Sequence, residues 1–463
     1  MNTCLLITIL CGILLLYPSC SVAPPYRIPE VSMPVHYKNI GQWHAPAPSD
    51  HVQRGNWWKI FKDPVLSKLM DELNTGNLDI VMAEARYRQS EALLRQTAGS
   101  FLPQIDAGLT TQSSHSTSAK NSGNISNNYD LQAAASWDAD LWGKIRSRIA
   151  GAAADTDASK AELESVRLSM QTQLAMAYFE IRILDTQRDF YAKTIESYRQ
   201  ALHVTSVRFK QGVDSPAAVM QAETQLKSTE AQAIELDITR NRLENSIAVL
   251  LGKSASSFSL PQQSNWDAIL PNIPAGIPTT LLQRRPDVAA AERAVASANA
   301  RIGETRAALY PSFIISSNAR LQQTSFGNWL SSPNTGWSIG ADFIGPVFDG
   351  GTRRAAVSEA EAAYDEAVAN YKNTVLNSIR EVEDSLAALN LLDDKAAAQE
   401  AALKAAIQSE DTTSKQYRAG KINYLDVVTV QAITLTNERN AAEVRNTRYI
   451  ALIQLIRALG GTW

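Results

Sequence analysis

Cysteine is confined to positions 4, 11 and 20, so nothing after residue 20 can form a disulfide or a thiolate metal site. The five histidines, at 36, 44, 51, 115 and 203, never take the i, i+3 or i, i+4 spacing that aims two imidazoles at one metal. An excess of either charge is also missing: 44 basic and 47 acidic side chains leave a net charge of -3, with no basic stretch to bind nucleic acid. Enzyme signatures are lacking too. No Ser/His/Asp or paired-carboxylate arrangement stands out, and Gly345-Pro346-Val347-Phe348-Asp349-Gly350-Gly351-Thr352 has the glycines of a phosphate loop but no lysine, which leaves a strand-to-helix turn. No cofactor is expected.

Apolar runs are short. Leu5 to Leu16, broken by Thr8 and Gly12, falls well below the roughly 20 residues that span a bilayer and reads as the core of an export signal. Tyr17-Pro18-Ser19-Cys20 and the polar, proline-rich Ser21 to Pro34 follow it. That order resembles a bacterial lipoprotein signal, in which Cys20 becomes the lipidated first residue of the mature chain. An ordinary cleaved signal is the alternative.

Proline and glycine are absent over long stretches. No proline lies between Pro103 and Pro216 or after Pro346, and residues 352–419 and 152–211 also lack glycine. These stretches are rich in Ala, Glu, Gln, Lys and Arg, all strong helix formers. At 1.5 Å per residue, a helix of about 60 residues runs roughly 90 Å. Val375, Ile379, Val382, Leu386 and Leu389 step by four and three, as do Leu163, Val166, Met170, Leu174, Ala177, Ile181 and Leu184, which predicts coiled-coil seams. Each long helix meets a glycine turn, at Gly212 or Gly420, then a second helix ending at Leu251-Gly252 or Leu459-Gly460, so each forms an antiparallel hairpin.

The landmarks repeat. Pro103 and Pro311, Asp79 and Asp287, Glu84 and Glu292, Gly212 and Gly420, and Leu251 and Leu459 are each 208 residues apart. The chain is thus a tandem duplication of one large unit, too long for a short-repeat solenoid. The expected division is a signal at 1–19, an N-terminal extended or collar segment at 20–76, repeats at 77–252 and 286–463, and a linker at 253–285.

Between each repeat's first helix and its long helix, the apolar period drops to two. Ile105, Ala107 and Leu109 alternate with polar neighbours, as do Tyr129, Leu131, Ala133, Ala135 and Trp137; Phe313, Ile315, Ala319 and Leu321; and Trp337, Ile339, Ala341 and Phe343. Four strands of about 9 to 11 residues fit a transmembrane barrel. The export signal and the aromatics Phe101, Trp137, Trp142, Tyr310, Trp329 and Trp337 favour that over the half-buried strands of a soluble sheet. A barrel needs at least eight strands, so the chain must oligomerise.

These features, with Trp57-Trp58-Lys59-Ile60-Phe61-Lys62-Asp63-Pro64, the run from Gly276-Ile277-Pro278 through Gln283-Arg284-Arg285-Pro286-Asp287-Val288, and Ala458-Leu459-Gly460-Gly461-Thr462-Trp463, resemble the TolC-type outer-membrane channels, in their lipoprotein branch serving RND multidrug pumps. The resemblance implies a mainly α protein with transmembrane β-strands, a homotrimer with a shared 12-stranded barrel and a periplasmic tunnel of helical hairpins. It implies an RND transporter in the inner membrane and a periplasmic adaptor as partners, and no catalysis. By the family's plan the hairpin tips meet the adaptor through Arg208, Phe209 and Gly212 in one turn and Tyr417, Arg418 and Gly420 in the other. Members often close the tunnel there with acidic or apolar rings; here Asp214 and its repeat equivalent Ile422 are the gate candidates. Rival readings are a duct for type I protein secretion and a soluble coiled-coil scaffold.

Overall fold

The computed structural model describes residues 21–32, 37–38, 56–115, 125–263, 266, 270–271, 285–324 and 335–461; Cys20, the leader, Trp329 and most of the 264–284 stretch lie outside them. A 3-10 turn at Trp57–Phe61 is followed by α1 (Pro64–Gly76), α2 (Leu78–Gly99), β1 (Gln104–His115), β2 (Ile125–Asp138), α3 (Lys144–Lys210) and α4 (Pro216–Leu250). A short 3-10 turn at Ala255–Ser257 leads to α5 (Pro286–Ala307), β3 (Ser312–Gln323), β4 (Thr335–Ile344), α6 (Thr352–Arg418) and α7 (Tyr424–Ala458). The duplication reaches the element boundaries: α2 and α5, β1 and β3, α3 and α6, and α4 and α7 each begin and end 208 residues apart. The strands have 12, 14, 12 and 10 residues, three of them longer than the alternation predicts. Ladder pairing carries them past their apolar stretches.

The chain forms two compact units, and each draws on both repeats. One takes residues up to 30, 86–160 and 290–373; the other takes 31–85, 161–289 and 374–463.

The second unit holds the large core. The predicted seams lie in it: Leu163, Leu174, Ala177, Ile181, Leu184, Val375, Val382, Leu386 and Leu389 are buried, with Val166, Met170 and Ile379 packed beside them. The Trp57-Trp58 motif is drawn into the same core. Phe179 stacks on Tyr449 at 4.5 Å between ring centroids, and Phe61 lies 4.7 Å from Phe179. Burying each such side chain contributes about 1.5–3 kcal/mol. Asp63 joins this cluster to α1: its carboxylate caps the helix by accepting from Val65 N and Leu66 N at 2.9 and 3.0 Å, and also accepts from the Tyr178 hydroxyl at 2.7 Å.

A buried ion network ties the segment after α4 to the first hairpin. Asp185 accepts from Arg182 at 3.2 Å and from Arg240 at 2.7 Å, while Glu244 accepts from Arg240 at 2.9 Å and from the Leu260 amide at 2.6 Å. Both arginines also donate to carbonyls of that segment, at Pro261 and Leu260. The repeat equivalent of Arg240–Asp185 is Arg448–Asp393, again an ion pair, but its carboxylate is 59% exposed where that of Asp185 is 0%.

The first unit holds one antiparallel sheet in the order β1-β2-β3-β4. Beside it, residues just after Cys20 form a strap along α5. Asn299 donates to Pro24 O at 3.0 Å, Tyr26 donates to Glu292, and a Cβ on Gly303 would come within 2.6 Å of Ala23. Burial and the Glu292 carboxylate push the Tyr26 hydroxyl well above its ordinary pKa.

Removing Asp185 leaves the buried Arg182 guanidinium and the partly buried Arg240 guanidinium without their shared carboxylate. Asp185→Ala is expected to destabilise the helical unit by about 3–5 kcal/mol, whereas Glu164→Ala, which breaks an exposed pair with Arg167, costs under about 1 kcal/mol. Thermal unfolding of detergent-extracted protein followed at 222 nm checks the contrast.

Candidate functional site

The sheet sorts its side chains by parity. In every ladder, odd-numbered residues face odd-numbered ones, as in Ile105↔Ala135, Leu109↔Leu131, Leu131↔Leu321, Trp137↔Ile315, Ala319↔Trp337 and Phe343↔Phe313. One face is therefore a continuous apolar band, and much of it is open: Ile105 is 74%, Trp337 80% and Ile339 68% exposed. The even face is polar and knitted across strands. Arg320 donates to both Asp130 oxygens at 2.8 and 2.6 Å, Gln322 donates to Asn128 at 3.0 Å, and the Ser114 and Ser126 hydroxyls lie 2.9 Å apart. Lipid on one face and water on the other is the environment this division suits. Among the described residues no helix is long and apolar enough to cross a membrane. Aromatics mark one end of the sheet, where Trp142 stacks on Tyr310 at 4.7 Å and donates to Pro311 O at 2.8 Å, and Trp137 donates to Phe101 O at 3.0 Å.

The two hairpin turns share one backbone design. At the first, Gly212 N donates to Phe209 O at 2.9 Å and Val213 N to Arg208 O at 2.9 Å; at the second, Gly420 N donates to Tyr417 O at 2.8 Å and Lys421 N to Gln416 O at 3.0 Å. This is a Schellman ending, and it needs the left-handed backbone that Gly212 and Gly420 adopt, with φ of 75° and 71°. Ser215 and the Asn423/Asp426 capping box then start α4 and α7.

The side chains divide. Phe209, Gly212, Arg418 and Gly420 are exposed, whereas Arg208 and Tyr417 are half-buried and turned onto their own turns. Arg208 holds Asp214 at 3.0 Å, so the acidic gate candidate is already ion-paired within its own turn. Ile422 is half-buried. A cleft of about 270 Å³ between the turns is lined by Val213, Asp214 and Ser215 on one side and Asn423, Tyr424 and Leu425 on the other, and Ile422 is not part of its lining.

The fold and the two-sided sheet have clear parallels. The sequence profile of the outer membrane efflux protein family matches residues 69–253 and 277–461. The chain belongs to the outer membrane efflux protein family. It is similar to the cation efflux system protein CusC of Escherichia coli O6:H1, 25% identical over 96% of both chains. It is also similar to the toluene efflux pump outer membrane protein TtgI of Pseudomonas putida, 27% identical over 97% of both. Its structure superposes on that of the outer-membrane channel OprN with a TM-score of 0.85 at 26% identity, over 96% of this chain and all of that one. The pair of family matches falls on the two repeats, and the two-faced sheet is the part of this outer-membrane protein that meets the membrane.

One feature of the tips escapes sequence reading. Tyr417 and Tyr424 come together with ring centroids 5.8 Å apart, and their buried hydroxyls meet no hydrogen-bond partner among the described residues. Burial, with Tyr198 and Tyr417 nearby, pushes the Tyr424 hydroxyl far above its ordinary pKa. Their spacing of seven is visible in the chain, but seam residues share it, and only the turn between them brings the rings together.

Gly420→Ala forces a side chain into left-handed backbone and is expected to cost about 1–2 kcal/mol. Tyr424→Phe removes an unpartnered hydroxyl and is expected to leave stability unchanged or raised. Hydrogen exchange of amides in residues 410–430 reads both: faster in the first variant, unchanged or slower in the second.

Proposed function

We propose that this chain is the exit duct of a tripartite efflux system, three copies giving four strands each to a 12-stranded barrel and their hairpins to a periplasmic tunnel. The observation that carries this is the two-faced sheet in which the outer edges of β1 and β4 are open among the described residues. In lipid an open edge leaves several kcal/mol of unsatisfied backbone per group, and closure into a ring removes it. Four strands are too few for one chain to close, and twelve agree with the trimer that the family resemblance implies.

Lipidation of Cys20 belongs to the same reading. Val22 N reaches Trp142 O at 3.4 Å, and the Ser21 side chain packs against Gly143. An acyl chain on the preceding residue would start beside the aromatic end of the sheet, where a bilayer surface is suited to Trp and Tyr. The partners are a periplasmic adaptor, met by the exposed Phe209, Gly212, Arg418 and Gly420 at the hairpin tips, and an inner-membrane RND transporter that supplies the energy. Relatives named for cations and for toluene share this architecture, so the duct is passive and performs no covalent chemistry, and cargo is chosen upstream. Asp214, steadied by Arg208, and Ile422 narrow the periplasmic mouth.

Extraction of cells expressing the chain is expected to yield a detergent-dependent trimer in the outer-membrane fraction; a soluble monomer or dimer overturns the reading. In planar bilayers, Asp214→Ala and Ile422→Gly are each expected to raise single-channel conductance. Unchanged conductance in both removes these residues from the gate.

A further inference from the structure

Between α3, α6 and α7 lies a cavity of about 460 Å³, all of it within the second compact unit. Its cause is plain: Ala396 on α6 and Ala441 and Ala442 on α7 face it, and three methyl groups do not fill the space that larger side chains would. Ile183 and Phe190 of α3, Leu403 of α6 and Leu270 of the segment after α4 form its apolar sides. The volume suits a small organic molecule.

Four charged side chains reach the same cavity: Arg445, Arg448, Glu400 and Glu438. Both arginines are engaged, Arg448 donating to Asp393 at 2.5 Å and Arg445 also holding a partner. The two carboxylates meet no hydrogen-bond or ion-pair partner among the described residues. Glu400 is exposed, but Glu438 is half-buried. Burial raises the Glu438 pKa, and the repulsion of Glu410 on α6 outweighs the attraction of the exposed Lys193 on α3. A carboxylate so placed has lost part of its hydration and gained no ion pair in return.

We infer that this cavity is a binding site for a lipophilic organic cation, its apolar body among Ile183, Phe190, Leu270 and Leu403 and its positive charge against Glu438. Charge separates this ligand from others of its size. An organic anion would be repelled by Glu438 and Glu400 while the arginines are already held, and a neutral body would leave the carboxylate unpaired. Phe190 adds an aromatic ring, which attracts a diffuse cation. The other repeat shows the arrangement closed off. There Arg188 and Ile234 stand where Ala396 and Ala442 leave space, each 208 residues earlier, and Glu230, the equivalent of Glu438, is paired with Lys227 at 2.9 Å and Arg199 at 3.7 Å. Only the second repeat keeps both the space and the unpaired charge. The site lies within one chain and one compact unit, so it goes beyond the duct reading and does not depend on closure of a barrel.

The probe is tetraphenylphosphonium, with tetraphenylborate as its twin of the same shape and opposite charge. Equilibrium dialysis of the full-length, detergent-extracted protein, counted as excess over protein-free micelles, is expected to show one phosphonium bound per chain and no borate. Glu438→Gln keeps the shape of the side chain and removes its charge. It is expected to weaken phosphonium binding by about tenfold or more, the loss of one close charge pair at an effective dielectric of about 20. Ala441→Leu fills the cavity and is expected to abolish binding, whereas Glu230→Gln leaves it unchanged; far-UV circular dichroism checks that the helices of each variant are intact. Absence of phosphonium binding, borate bound as tightly as phosphonium, or phosphonium binding unchanged in Glu438→Gln overturns the site. None of these results touches the duct reading, which the mass of the extracted complex tests separately.

Discussion

Everything about the membrane end of this protein depends on where the backbone hydrogen bonds of four strands go. Among the described residues three ladders are made within the chain, and two edges remain. In water an open edge is a liability; in hydrocarbon it is prohibitive, because no solvent replaces the missing partner. The parity of the side chains follows from the same requirement. A sheet that closes on itself with lipid outside and water inside keeps its odd positions apolar and lets Arg320 and Asp130 pair on the even face.

The helices meet this constraint differently, since each satisfies its backbone internally and needs only side-chain packing. Their seams are modest, built from alanine and single aliphatic residues, and the second unit concentrates its larger side chains where α3 and α7 meet the Trp57–Phe61 turn. The aromatic group around Phe179 and Tyr449 sits there, and the Asp185 network ties α3 to α4 and to the segment that follows it. A coiled-coil seam alone leaves helices free to slide by a turn. Rings packed between them and buried charges with fixed partners remove that freedom, because any shift would strand a desolvated guanidinium.

The two repeats have diverged in ways that matter more than their likeness. Asp185 and Asp393 both hold an arginine, but Asp185 is fully buried in a network that also binds the chain after α4, whereas the Asp393 side chain is 59% exposed. Asp214 and Ile422 stand at equivalent turns with opposite character. Asp140 is buried after β2, while its repeat equivalent Phe348 is exposed after β4. A tandem duplication that had kept full symmetry would present the same surface twice. Divergence lets one turn carry an acidic side chain where the other carries an apolar one.

The helices, the turns and the strands were legible in the chain because each is governed by local rules. Missing proline and glycine, spacing by three and four, glycine at a left-handed position and strict alternation all act over a few residues, and the 208-residue offset joins them into two copies of one plan. The sequence by itself therefore determined the element order, the faces of the strands and the two hairpins. It could not show that Tyr417 and Tyr424 meet with unpartnered hydroxyls, that Arg208 turns inward to hold Asp214, or that the compact units cut across the repeats. It also left the strands short, because alternation stops where the apolar residues stop while ladder hydrogen bonds continue. Those outcomes belong to tertiary structure: they depend on which side chains distant segments bring within a few ångströms, and no local preference encodes that distance.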